Sequence, residues 1–102
     1  MGPLGQIWKF PIKDIIGSNT YEVKVPKGTE ILSFGEDPEK PEYVVWGKVP
    51  DIYEKKEEGL RVFLIPTGQS IPAPAESARF VNTAITPSAF GPFEIHCFVK
   101  NN

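Results

Sequence analysis

From Thr20 to Val25 the chain alternates without a break, with Tyr21, Val23 and Val25 on one side and Thr20, Glu22 and Lys24 on the other. A period of two is the pattern of a strand with one face in a core. The same alternation runs from Gln6 to Lys13, with Trp8, Phe10 and Ile12 in phase, and from Phe93 to Lys100, with Phe93, Ile95, Cys97 and Val99 in phase. Thr29 to Gly35 reads as a further strand, and the tight turn Pro26-Lys27-Gly28 before it predicts a hairpin with Thr20–Val25. Two segments, Tyr43 to Val49 and Leu60 to Ile65, are apolar on nearly both faces. Strands of that kind are buried on both sides and belong in the middle of a fold. Ala78 to Ile85 completes the set.

The segments between the strands carry turn signals. Gly17-Ser18-Asn19 is a turn, Glu36 to Pro41 a polar connector with two prolines, and Thr86 to Pro92 a Pro/Gly turn region. Asp51 to Gly59 holds the charge run Glu54-Lys55-Lys56-Glu57-Glu58 and reads as an exposed loop or one helical turn. Pro66 to Ser77 is the longest irregular stretch. Eleven prolines in 102 residues leave almost no window for a helix. The chain is thus predicted to be all-β, a single small β-sandwich or partly open barrel of about seven antiparallel strands. Residues 6–100 form the domain, and residues 1–5 read as a tag or disordered N-terminus.

Composition narrows the function classes. A net charge of −2, with acids and bases mixed along the chain, lacks the basic excess of a nonspecific nucleic-acid binder, so no DNA duplex binding is expected. The single cysteine, Cys97, rules out an intramolecular disulfide and fits a reducing cytosol. No apolar run approaches the roughly 18 residues of a membrane span, and no signal peptide is apparent. A cytoplasmic location with no membrane partner is the expectation.

Candidate chemistry is sparse. His96 and Cys97 are the sole histidine and cysteine. As strand neighbours they face opposite ways, so they do not form a metal or nucleophile–base pair. No P-loop, GxSxG or GxGxxG sequence occurs. No enzyme activity, metal or cofactor is therefore expected. The segment Thr67-Gly68-Gln69-Ser70 offers two hydroxyls, an amide and a glycine on a turn that follows a buried strand, a setting suited to an anion. The two arginines, Arg61 and Arg79, flank the same long loop. If their strands pair, both guanidinium groups border one surface. Among the aromatics Trp8, Tyr43, Trp46, Phe63, Phe80, Phe90, Phe93 and Phe98, most are expected in the core. Phe90, in the Pro/Gly turn, is expected to be exposed at an interface.

Trp8-Lys9-Phe10, Val25-Pro26-x-Gly28-x-x-Ile31-Leu32-Ser33, Trp46, Thr67-Gly68, Phe80-Val81-x-Thr83 and His96-x-Phe98 occur in that order. The order resembles a group of small bacteriophage and prophage proteins of unknown function, across Ile7 to Val99. That group often has Gly-Thr-Gly-His where this chain has Pro66-Thr67-Gly68-Gln69, and glycine where this chain has Asn82. The resemblance implies phage origin. With Arg61, Thr67, Gly68, Gln69, Ser70 and Arg79 as candidate ligand-binding residues, the sequence supports a non-catalytic phage accessory protein in the host cytosol. It would sequester a small anionic, nucleotide-type ligand as a host-defence inhibitor. Because one small domain has little concave surface, such a pocket is expected in a homo-oligomer. The alternative is a protein-interaction module that blocks a host protein or serves a virion role.

Overall fold

The computed structural model describes residues 5–50, 56–87 and 89–101. Among these residues there are eight strands: β1 Gln6–Pro11, β2 Asp14–Gly17, β3 Thr20–Pro26, β4 Glu30–Glu36, β5 Tyr43–Val49, β6 Glu57–Pro66, β7 Arg79–Thr86 and β8 Phe93–Asn101. They form two antiparallel sheets, one of three strands in the order β1-β5-β4 and one of five in the order β2-β3-β6-β8-β7. The sheets share one core. Phe10, Ile31, Phe34, Val45 and Val49 come from the smaller sheet, and Val23, Val25, Leu60, Val62, Leu64, Ile95, Cys97 and Val99 from the larger. The molecule is a sandwich, as the strand pattern predicts. The expected tag at residues 1–5 falls almost wholly outside the described residues, as does the first half of the charged Asp51–Gly59 segment. Glu57–Gly59 of that segment belong to β6 rather than to a loop.

Three expectations need correction, and each for a physical reason. The expected Gln6–Lys13 strand ends at Pro11, and Asp14–Gly17, whose Gly17 was expected in a turn, forms a separate strand of the other sheet. β1 ends at Pro11, Ile12 N–H donates to Tyr43 O at 3.0 Å, and the chain then crosses to pair β2 with β3. Alternation continues through the crossing, because it records which face is buried and not which neighbour is bonded. The Pro26-Lys27-Gly28 turn likewise changes sheets instead of closing a hairpin. β3 pairs with β2 and β6, and β4 pairs with β5. Thr29 ties this corner, donating its hydroxyl and its N–H to Pro26 O at 2.6 and 3.1 Å. Finally, the long irregular stretch contains a short 3₁₀ turn, Ala73–Ser77. Its buried Ala75 packs on Phe63 and Ile65 of β6, on the face turned away from the other sheet. This strap is why β6 is apolar on both faces.

The two central strands behave as predicted, with β5 in the middle of its sheet and β6 in the middle of the larger one. At Gly47 of β5 a Cβ would lie 2.7 Å from Thr29 Cγ2 at the corner before β4 and 3.1 Å from Phe10 Cε2 of β1. No larger residue fits there without movement of its neighbours. Phe80 and Phe93, expected among the core fillers, are instead about half exposed.

One side of the sandwich is closed by side chains. Strands β4 and β7 are edge strands of different sheets and lie side by side. Asn82 Oδ1 accepts from Phe34 N–H at 2.8 Å, and Asn82 Nδ2 donates to Phe34 O at 2.9 Å. Arg79 Nη2 donates to Ile31 O at 2.7 Å. A carboxamide carries the same donor and acceptor as a peptide group, so Asn82 stands in for a missing strand partner. Both strands break register beside this seam, between Ile31 and Ser33 and between Phe80 and Asn82. Such bulges turn a strand out of its ladder. Asn82→Ala removes both bonds and leaves the Phe34 peptide groups unsatisfied, so it should lower stability by about 2 kcal/mol. Urea unfolding checks this, and a midpoint equal to that of the parent chain contradicts it.

Candidate functional site

The Thr67–Ser70 segment sits on the outer face of the five-stranded sheet. Gln69 N–H donates to Pro66 O at 3.1 Å, closing a β-turn with Gly68 in its third position at φ 93°. That is the type II geometry, in which glycine alone is unstrained. The turn is rigid, because Thr67 N–H also donates to Glu94 O at 3.1 Å. Its side chains, however, have partners within the chain. Thr67 Oγ1 and His96 Nε2 share a hydrogen bond at 2.8 Å, and Thr83 Oγ1 holds the other ring nitrogen, Nδ1, at 2.7 Å. Gln69 Oε1 accepts from Asn19 Nδ2 at 2.8 Å. Ser70 is exposed. A shallow cavity of about 220 Å³ adjoins the turn, floored by Ile65, Ile71 and Phe98. The Thr67–His96–Thr83 row was invisible in the sequence, since it depends on β8 lying between β6 and β7.

The same strand order separates the two arginines. Arg61 lies opposite Glu22 and Lys100, on the outer face. Arg79 lies opposite Val99, whose side chain is in the core, so it points to the inner side, where it bonds Ile31 O. Strands β6 and β7 do not pair, and the common surface expected of the two guanidinium groups does not form. Of the six candidate ligand-binding residues the structure brings together only Thr67, Gly68, Gln69 and Ser70.

His96 and Cys97 face opposite ways, as expected. The Cys97 thiol is fully buried, and burial pushes its pKa up to about 12, opposed in part by the Arg79 charge. It is a core thiol with no nucleophilic character near neutral pH. Among the described residues no group of three His, Cys, Asp or Glu side chains is placed to hold a metal ion, and no helix is long and apolar enough to cross a membrane.

The tip of the β7–β8 hairpin has a different character. From Thr83 to Phe93 there is no charged residue. Phe90 is fully exposed, and Ile85 and Phe93 at the flanking strand ends are 66% and 46% exposed. Ile85, Pro87, Gly91 and Pro92 line an open, largely apolar hollow.

The model of a domain family of unknown function, DUF7352, matches residues 4–102. The chain belongs to this family. No curated protein and no solved structure matches the sequence.

In this DUF7352 chain the hairpin tip is held beside an acidic connector. Thr86 Oγ1 donates to Glu36 Oε1 at 2.8 Å and bonds Tyr43 Oη at 2.7 Å, tying the end of β7 to the β4–β5 connector. Asp37, almost fully buried, anchors the connector by accepting from Lys9 Nζ and from Glu39 N–H, both at 2.9 Å. The Glu39 N–H and then the Lys9 ammonium hold the Asp37 carboxyl below the usual carboxylate range, and the bond to Asp37 raises Lys9 in turn. Two carboxylates stand beside the tip, Glu36, bonded to Thr86, and Glu94, next to Phe93, while Asp37 and Glu39 are paired with Lys9 and Glu42 with Lys13.

A carboxyl with a lowered folded pKa stabilises the fold above its ordinary pKa, and that contribution fades as acid protonates it. Stability should therefore fall from about pH 5 downward, and Asp37→Asn should flatten that acid limb. Urea midpoints measured across this range check it; identical acid limbs for the two chains contradict it.

Proposed function

We propose that this DUF7352 chain is a non-catalytic protein-binding module that presents the β7–β8 tip to a partner protein. The observation that carries this reading is Phe90, an aromatic ring fully exposed at the end of an uncharged hairpin. Solvating such a ring is costly, and buried aromatic anchors of this kind dominate protein interfaces. The surrounding rim gives the partner a chemistry: an apolar socket with basic residues around it. Opposite charge at the rim steers association, whereas two copies docked symmetrically through this tip would set acidic rim against acidic rim. The partner at the tip is therefore a different protein.

The motif order shared with small phage and prophage proteins supports a setting in the host cytosol, where the chain would act on a host protein as an accessory or anti-defence factor. Sequestration of a nucleotide-type anion at the 67–70 turn has less support, because Thr67 and Gln69 are engaged within the chain and the arginines lie on opposite faces.

The test compares capture from host lysate by the parent chain and by Phe90→Ser. A partner retained by the parent, released by raised salt and lost with Phe90→Ser at unchanged melting temperature supports the reading. Equal capture by both chains, or none by either, overturns it. Loss of binding should be at least about tenfold if Phe90 is an anchor.

A further inference from the structure

A second cleft opens at the other end of the sandwich, away from the hairpin tip. It has a volume of about 390 Å³, within the size range of small-molecule sites. Its position follows from the seam. The start of β4, the start of β7 and the end of β8 meet here, at Ile31, Arg79 and Val99, while Glu36, Thr86 and Phe93 mark the opposite end. Ile31, Leu60 and Val99, each almost fully buried at the margin of the core, lie at its base, and Thr29, Ser77 and Asn101 also line it. Arg79 lines it, and Glu30 and Lys100 stand at its rim.

Arg79 is suited to a ligand in a way that Arg61 is not. A guanidinium has five N–H donors. The bond from Nη2 to Ile31 O fixes the group and leaves its other donors for the cleft. Fixing the group in advance removes part of the entropy cost of binding. Arg79 is at the same time an exposed residue, so the group is open to a ligand from solvent. Arg61, by contrast, faces outward across from Glu22.

We propose that this cleft binds a small organic anion, with a phosphate or carboxylate head on Arg79 and an apolar or aromatic body on the Ile31–Leu60–Val99 floor. The forked guanidinium matches either head with two parallel hydrogen bonds. The carboxylate of Glu30 on the rim favours a ligand with one anionic head over a polyanion. This site is independent of the protein-binding tip.

The test is a chemical-shift titration of the methyl-labelled chain with AMP, benzoate, inorganic phosphate and adenosine. AMP or benzoate should move the Ile31, Leu60 and Val99 methyl signals and saturate; AMP alone assigns a phosphate head, benzoate alone a carboxylate head. Inorganic phosphate, which lacks a body, should bind more weakly, and uncharged adenosine should not bind. Arg79→Lys keeps a donor for Ile31 O but loses the fork, and should weaken binding about tenfold. Arg61→Ala and Phe90→Ser should leave it unchanged. The proposal is overturned if neither organic anion moves the floor signals, if adenosine moves them equally, or if Arg61→Ala weakens binding as much as Arg79→Lys. The parent-chain titration decides the matter even where Arg79→Lys fails to fold.

Discussion

The Asn82 carboxamide, bonded to both backbone groups of Phe34, is the contact on which the rest of this structure depends. Two sheets that share a core still have edges, and an open edge is a row of unsatisfied peptide groups. On one side the chain itself crosses between the sheets at Ile12–Lys13. On the other side no backbone ladder joins β4 to β7, and the side chains of Asn82 and Arg79 do so instead. The bulges in both strands let the edges turn toward each other. The seam thus makes a near-closed structure out of two open sheets.

The seam also decides what each end of the sandwich contains. It sets Ile31 beside Arg79 and Glu36 beside Thr86, so the two strands run in register from one end to the other. At one end the register fixes an uncharged hairpin tip against an acidic connector. At the opposite end it leaves the Arg79 guanidinium in a cleft with Ile31, Leu60 and Val99 at its base. An apolar tip with a charged rim suits a protein surface, and a fixed guanidinium above such a base suits a small anion. Both properties come from one alignment of strands, and neither requires a catalytic group.

Much of the architecture was legible because burial leaves a local trace. The alternation of Thr20–Val25 and the two-sided apolar runs of β5 and β6 correctly indicated one half-buried strand and two central ones. Phe90 was legible as exposed because it falls in a Pro/Gly turn rather than on a strand. What was not legible depends on partners far away in sequence. The Pro26–Thr29 corner has the residues of a hairpin turn, but the next strand joins the other sheet. The role of Arg79 turns on β8 lying between β6 and β7, which puts it and Arg61 on opposite faces. Asn82, one of four polar residues in β7 with Arg79, Thr83 and Thr86, gave no local sign of the seam. The Ala75 strap was hidden because three prolines, Pro66, Pro72 and Pro74, suggest an irregular chain, whereas a 3₁₀ turn accommodates a proline at its start.

Native-state hydrogen exchange at the Phe34 amide tests the seam most directly. Its N–H is bonded to Asn82 Oδ1 at 2.8 Å. If the seam closes the sandwich, this amide exchanges as slowly as the core amides of β5 and β6, opening only when the whole molecule unfolds. If it exchanges at the rate of a solvent-facing edge amide, the sheets are not joined on that side, and the alignment that builds both ends of the molecule is lost with it.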